Sequence, residues 1–214
     1  MAELQYVRPA DIEARSFAII GEELGPHSFD TATELVVKRV IHATADFEFA
    51  ETLCFSEHAV KGGVEALRAG AHVVTDTTMV AAGINKRVLG SFGGEVHTFI
   101  ADADVAAEAR RRGLTRSAVC MEKAAQLEGP LVVAVGNAPT ALVRLFELMR
   151  DGQIERPALI VGVPVGFVNV VESKELIMDS GAEYIVARGR KGGSTVAAAI
   201  VNALLYIASN DRRE

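Results

Sequence analysis

The 214-residue chain is half hydrophobic and only 23% charged, which suits one domain burying about 70% of its unfolded surface and excludes a disordered chain. Its net charge of −6 at pH 7 lacks the basic excess that phosphate neutralisation needs. That argues against a nucleic-acid partner but leaves room for a local cationic pocket and an acidic small molecule.

In chain order, the N-terminal MAELQYVRPADIEARS contains no apolar signal core. Helical patterns then cover residues 11–24, 32–44 and 57–68. Short apolar runs rich in Val and Ile follow at 72–75, 96–100, 131–135, 158–163 and 184–187, each about the length of a buried strand. Between them residues 101–112, 117–127, 140–150 and 173–179 read as helices, and 194–208 as a long last one. Its apolar part, 196–208, is interrupted by Asn202 and too short for a membrane span. Such alternation predicts right-handed β-α-β crossovers and an α/β fold: three α/β/α layers around a mainly parallel sheet of about five strands. One domain, 1–214, is expected, with a helical region at about 10–70 packed on a parallel core at about 71–209. The distant Cys54 and Cys120 form no CxxC pair. They read as free thiols in a reducing cytoplasm, without a disulfide framework.

Ligands of open parallel sheets bind beyond the carboxyl ends of the strands. Those ends read Asp76-Thr77-Thr78, Ala101-Asp102, Gly136-Asn137, Gly166 and Arg188 to Ser194. In ARGRKGGSTVAAAI, Ser194 can cap a helix while Arg190 and Lys191 stand beside its N-terminus, an arrangement for an anion. The glycine spacing fits neither the Walker loop nor GxGxxG. In GNAPTALVRLF, Asn137 or Thr140 can cap and Pro139 suits the first helical turn. Asp76 in VTDTTMVAAGI is either a turn residue or part of a site. No HxxxH or HxH joins the five histidines, so no metal site is expected. His42 stands apart: Lys38 and Arg39 share its helix face, and Asp46 lies one turn on if the helix persists. An imidazole is the side chain best suited to exchange a proton near neutral pH. The residues alone leave open whether His42 does so or is a surface histidine.

Together the runs IEARSFAII, KRVIHATADFEF, VTDTTMVAAGI, TRSAVCMEKA, VAVGNAPTAL, GVPVGFVNVVESKE and GRKGGSTVAAAIVNAL resemble the precorrin-8X (cobalt-precorrin-8) methylmutase family, from about residue 9 to 208. The resemblance implies an isomerase of cobalamin biosynthesis that moves a methyl group from C-11 to C-12 of a corrin ring, without an external cofactor. It implies His42 as the proton donor and a cytoplasmic homodimer with pockets near the subunit interface. Arg15, Ser16, Arg39 and Arg116 are the first candidates to hold the acidic corrinoid, with Thr77, Thr78, Ser117, Arg190 and Lys191 beside them. Two other readings are a non-catalytic tetrapyrrole carrier and a nucleotide- or phosphate-binding α/β enzyme anchored at Ser194.

Overall fold

The computed structural model describes residues 6–210. A 3-10 turn at Pro9–Asp11 leads into α1 (Ile12–Leu24). α2 (Thr31–Thr44) begins where the Asp30 carboxylate accepts from the N–H groups of Ala32 and Thr33 at 2.9 and 3.1 Å, satisfying donors that a helix start leaves orphaned. It ends at Ala45, whose left-handed φ of 53° turns the chain off the helix axis. Then come α3 (Phe49–Thr52), β1 (Leu53–Phe55), α4 (Ala59–Arg68), β2 (His72–Thr75), α5 (Thr78–Gly83), α6 (Lys86–Ser91) and β3 (Val96–Thr98). α7 (Ala103–Arg112), α8 (Arg116–Ala124), β4 (Leu131–Val135), α9 (Pro139–Arg150), β5 (Leu159–Gly162), α10 (Val170–Met178), β6 (Tyr184–Ala187) and α11 (Ser194–Ser209) complete the order.

The strands form one six-stranded sheet, ordered β1-β6-β5-β4-β2-β3. All neighbours are parallel except β1, which runs antiparallel to β6 with Leu53 opposite Ala187. Side chains alternate across a strand, so Val132 and Ala134 of β4 enter one core while Leu131, Val133 and Val135 enter the other. α2, α4, α5, α6 and α11 cover the first face, and α7 to α10 the second. The helices before β2 share the first core with the sheet: Val36, Val40 and Ile41 of α2 cluster with Val73 and Val161.

Differences from the sequence reading have local causes. Residues 53–55, which lie unassigned between the helices expected at 32–44 and 57–68, form the edge strand β1, held by pairing with β6 rather than by any alternation of their own. Residues 78–91 carry no assignment from sequence, yet hold α5 and α6. Each has six residues, too few to display a helical period, and each is capped by a side chain, Thr77 on Val80 N–H and Asn85 on Val88 N–H. The strand expected at 96–100 closes at Thr98. α10 starts at Val170 instead of 173, after Asn169 in the left-handed conformation (φ 56°). Among the described residues no helix is long and apolar enough to cross a membrane. Cys54 and Cys120 are free, and burial foremost pushes the Cys120 thiol up to about 11.

Candidate active site

The carboxyl ends of the parallel strands make one rim, braced by Asp76. Its buried carboxylate accepts from the N–H groups of Gly136, Asn137 and Ala138 at 2.9, 2.8 and 2.7 Å, tying the end of β2 to the turn before α9. Burial nonetheless raises its pKa above the ordinary value, the three hydrogen bonds pulling the other way. Asp76 is thus a brace, and it removes any need for a cap from Asn137 or Thr140. Pro139 does open α9, behind Ala138 and without a side-chain cap, while the Thr140 hydroxyl lies 2.8 Å from that of Thr115.

On the first face, α2 brings Arg39 and Ala43 to an open groove of about 360 Å³ shared with Met79 and Gly83 of α5 and with Ser194, Thr195, Asn202 and Tyr206 of α11. The Arg39 guanidinium pairs with Glu13 and lies over two rings, 4.5 Å from the centre of Phe17 and 5.1 Å from that of Tyr206. His42, exposed on the last turn of α2, stacks on the same Phe17 with centroids 5.2 Å apart. Phe17 therefore joins the imidazole and guanidinium into one unit. Arg15 is exposed on α1, two residues before Phe17, and has no hydrogen bond or ion pair among the described residues. The Ser16 hydroxyl is spent on the Ile12 carbonyl at 2.9 Å.

Asp46 does not support His42. The helix stops at Ala45, and the Asp46 carboxylate instead accepts from Lys191 Nζ at 2.5 Å; this bond is the foremost cause of its lowered pKa. Lys191 also pairs with Glu48 at 2.8 Å. These carboxylates occupy Lys191, as Glu13 occupies Arg39, and through them Lys191 fastens the loop after β6 to the end of α2. Lys38 pairs with Glu34. Arg190 is exposed, its guanidinium 5.5 Å from the Phe167 ring centre. Ser194 does not cap α11: its hydroxyl lies 3.3 Å from that of Thr77, and the preceding Gly193 N–H donates to Val163 O. With its lysine paired and that amide engaged, the anion site expected at Ser194 is much reduced.

Thr77 caps α5 and through Ser194 joins the rim to the groove, while Thr78 is exposed beside it. Arg116 and Ser117 begin α8 on the opposite face of the sheet. Arg116 reaches the Ile100 carbonyl at 3.4 Å and so stands at the rim beyond β3, whereas Ser117 is buried. The structure thus gathers Arg39 and His42 on Phe17, leaves Arg15 exposed on α1, sets Thr77, Thr78 and Arg190 along the rim, and puts Arg116 in the other layer. The sequence reading did not single out Phe17, Met79 or Tyr206. Asn202 carried a signal as the polar break in an apolar helix: its side chain donates to Gly83 O and accepts from Asn85 N–H, both at 2.8 Å, fixing the turn that closes the groove. Among the described residues no three His, Cys, Asp or Glu side chains gather as a metal site.

Comparison with known proteins identifies the family. The family model for precorrin-8X methylmutase matches residues 11–207. The cobalt-precorrin-8 methylmutase of Salmonella typhimurium is 46% identical, covering 95% of this chain and 98% of its own. The precorrin-8X methylmutase of Pseudomonas aeruginosa is 43% identical over 94% and 97%. A crystal structure of the Thermus thermophilus precorrin-8X methylmutase superposes with a TM-score of 0.85 at 42% identity, covering 94% of this chain and 98% of that one. The chain belongs to the precorrin-8X methylmutase family.

Proposed function

We propose that the chain is a corrinoid isomerase of cobalamin biosynthesis, moving a methyl group from C-11 to C-12 of precorrin-8X or its cobalt form, with His42 as proton donor. The observation that carries this reading, beside the family match, is the position of His42. It is an exposed imidazole one residue from Ala43 and one turn from Arg39, both of which line the groove.

The substrate is a disc fringed with carboxylates. Arg15, Arg39, Arg116 and Arg190 are its natural partners, each charge-assisted bond contributing about 1.5–3 kcal/mol. Thr77, Thr78 and, with smaller reach, Ser16 and Ser117 offer neutral groups; Lys191 acts indirectly by holding the loop. A groove of about 360 Å³ is at the small end of ligand pockets, roughly 300–1,000 Å³. It takes one edge of the ring, and a second copy of the chain covers the remainder, making the working unit a homodimer.

Methyl migration is intramolecular: the bond to C-11 breaks as the bond to C-12 forms, so no protein nucleophile is needed. A proton lent by His42 to the conjugated ring draws electron density and eases the shift. The ring then gives a proton back, as an isomerisation requires. General acid catalysis of this kind contributes roughly 10²–10⁴-fold, and holding the ring in a reactive orientation supplies the rest. His42→Ala should lower kcat by that factor while the protein still binds the coloured corrinoid. Turnover of precorrin-8X at the normal rate by this variant would remove His42 from the mechanism.

A further inference from the structure

Lys174 of α10 is fully buried. Its Nζ donates to the carbonyl oxygens of Gly189 and Lys191, both at 2.8 Å. Those two carbonyls flank Arg190, whose own carbonyl accepts from Gly166 N–H at 3.2 Å. Three successive carbonyls of an exposed loop are thereby tied down, two of them by one ammonium. The path of the loop suits glycine alone, with φ of 82° at Gly189, 155° at Gly192 and 128° at Gly193. A Cβ on Gly192 would lie 2.2 Å from the Val163 carbonyl oxygen.

Among the described residues no counter-ion explains this burial. On α10, Glu175 is turned to Arg188, and Glu172 is exposed. On α9, Arg144 pairs with Glu122 and Glu147, and Arg150 with Asp151. In the loop, Lys191 pairs with Asp46 and Glu48, and Arg190 rests over Phe167. The ammonium meets neutral carbonyls only, and desolvation brings its pKa down to about 8. A buried charge is costly unless its hydrogen bonds are made, so packing alone would favour an apolar side chain here.

We propose that Lys174 is a positioning residue for substrate binding: bonded to the carbonyls on either side of Arg190, it fixes that residue's backbone so that the guanidinium is presented to a corrinoid carboxylate. This rests on the assignment of Arg190 to the substrate made above. The Arg190 side chain has no ion pair of its own among the described residues, so its backbone is the part the protein holds. Loss of the ammonium proton leaves an amine whose N–H groups are weaker donors, and the loop loosens at alkaline pH.

The test is a double-mutant cycle read as affinity for hydrogenobyrinate, followed by its absorbance. Lys174→Met should weaken binding about tenfold, a fraction of the loss expected from deleting a charge-assisted bond, and in turnover the loss should fall on KM rather than kcat. In an Arg190→Met background it should cost nothing further. Wild-type affinity should decline from about pH 7 to about pH 9, and the Lys174→Met profile should be flatter. A full tenfold loss retained in the Arg190→Met background, or identical pH profiles, would overturn the proposal. If Lys174→Met does not fold, hydrogen exchange in the wild type decides. Protection of the Gly166 and Gly193 amides should fall relative to sheet amides over the same pH range, and constant protection refutes the clamp. Failure of the wild type to bind hydrogenobyrinate at all would instead overturn the corrinoid reading, with hydrogen exchange still judging the clamp.

Discussion

Two ionisable side chains, Asp76 and Lys174, are fully buried near the rim, and backbone groups alone satisfy both. Each braces a turn, so their burial costs are tied to the shape of the site. For Lys174 the linkage has a definite sign. Folding lowers its pKa from 10.5 to about 8, so between these values the unfolded chain keeps a proton that the folded chain has released. Stability from this group therefore rises as pH climbs through that window, by on the order of 3 kcal/mol at about 1.36 kcal/mol per unit. Below it the full cost of the buried charge is present. Urea unfolding at about pH 8 and about pH 10 should show the wild type gaining on Lys174→Met, with other titrating groups common to both. Parallel curves would mean that Lys174 does not titrate in the folded protein. Local and global effects then have opposite signs, the loop loosening where the fold as a whole gains.

Among the elements, α11 against the end of β4 sets the geometry of the groove. A Cβ on Gly136 would stand 2.7 Å from Ser194 Cα and 2.9 Å from Val80 Cγ2, so the strand end, α5 and α11 meet where only glycine fits. Gly136→Ala should cost about 1–3 kcal/mol by overpacking, or a fall in Tm of roughly 2–12 °C in a chain of this size. It should also part the Thr77 and Ser194 hydroxyls and weaken corrinoid binding; scanning calorimetry and titration together check both. What sequence revealed at this scale follows from burial. β2, β4 and β6 are legible to the residue because sheet strands covered on both faces read as unbroken apolar runs. β1, α5 and α6 are too short to carry a period, and tertiary contacts decide them. Arg39 and His42 were legible because one helical turn separates them. The diversion of Asp46 was not: α2 stops at a left-handed alanine instead of the glycine that would mark such an end. The lysine that takes the carboxylate lies 145 positions away.

At the scale of the molecule, the exposed apolar residues are not scattered evenly. Val165, Phe167 and Val168 occupy the single loop after β5, at 47%, 82% and 78% exposure, and Met79, at 70%, borders the groove. Tyr6, Ile12 and Leu114 are exposed on other segments, but the four at the rim form a cluster, and a cluster of large exposed apolar groups marks a contact surface. The groove, moreover, is too small to enclose a corrin ring by itself. A second copy laid over this rim would satisfy both conditions, burying the loop and closing the pocket around the ring, despite a net charge of −6 on each chain that repels its partner at long range and is screened at physiological salt. Sedimentation equilibrium should therefore give twice the mass of the chain. Phe167→Asp, which places a charge on the loop without touching either core, should shift the equilibrium towards monomer and weaken corrinoid binding in parallel. A dimer unmoved by this substitution puts the contact on another face. Monomer with undiminished affinity would mean that one chain encloses the ring unaided, leaving Phe167 as a support for Arg190 alone.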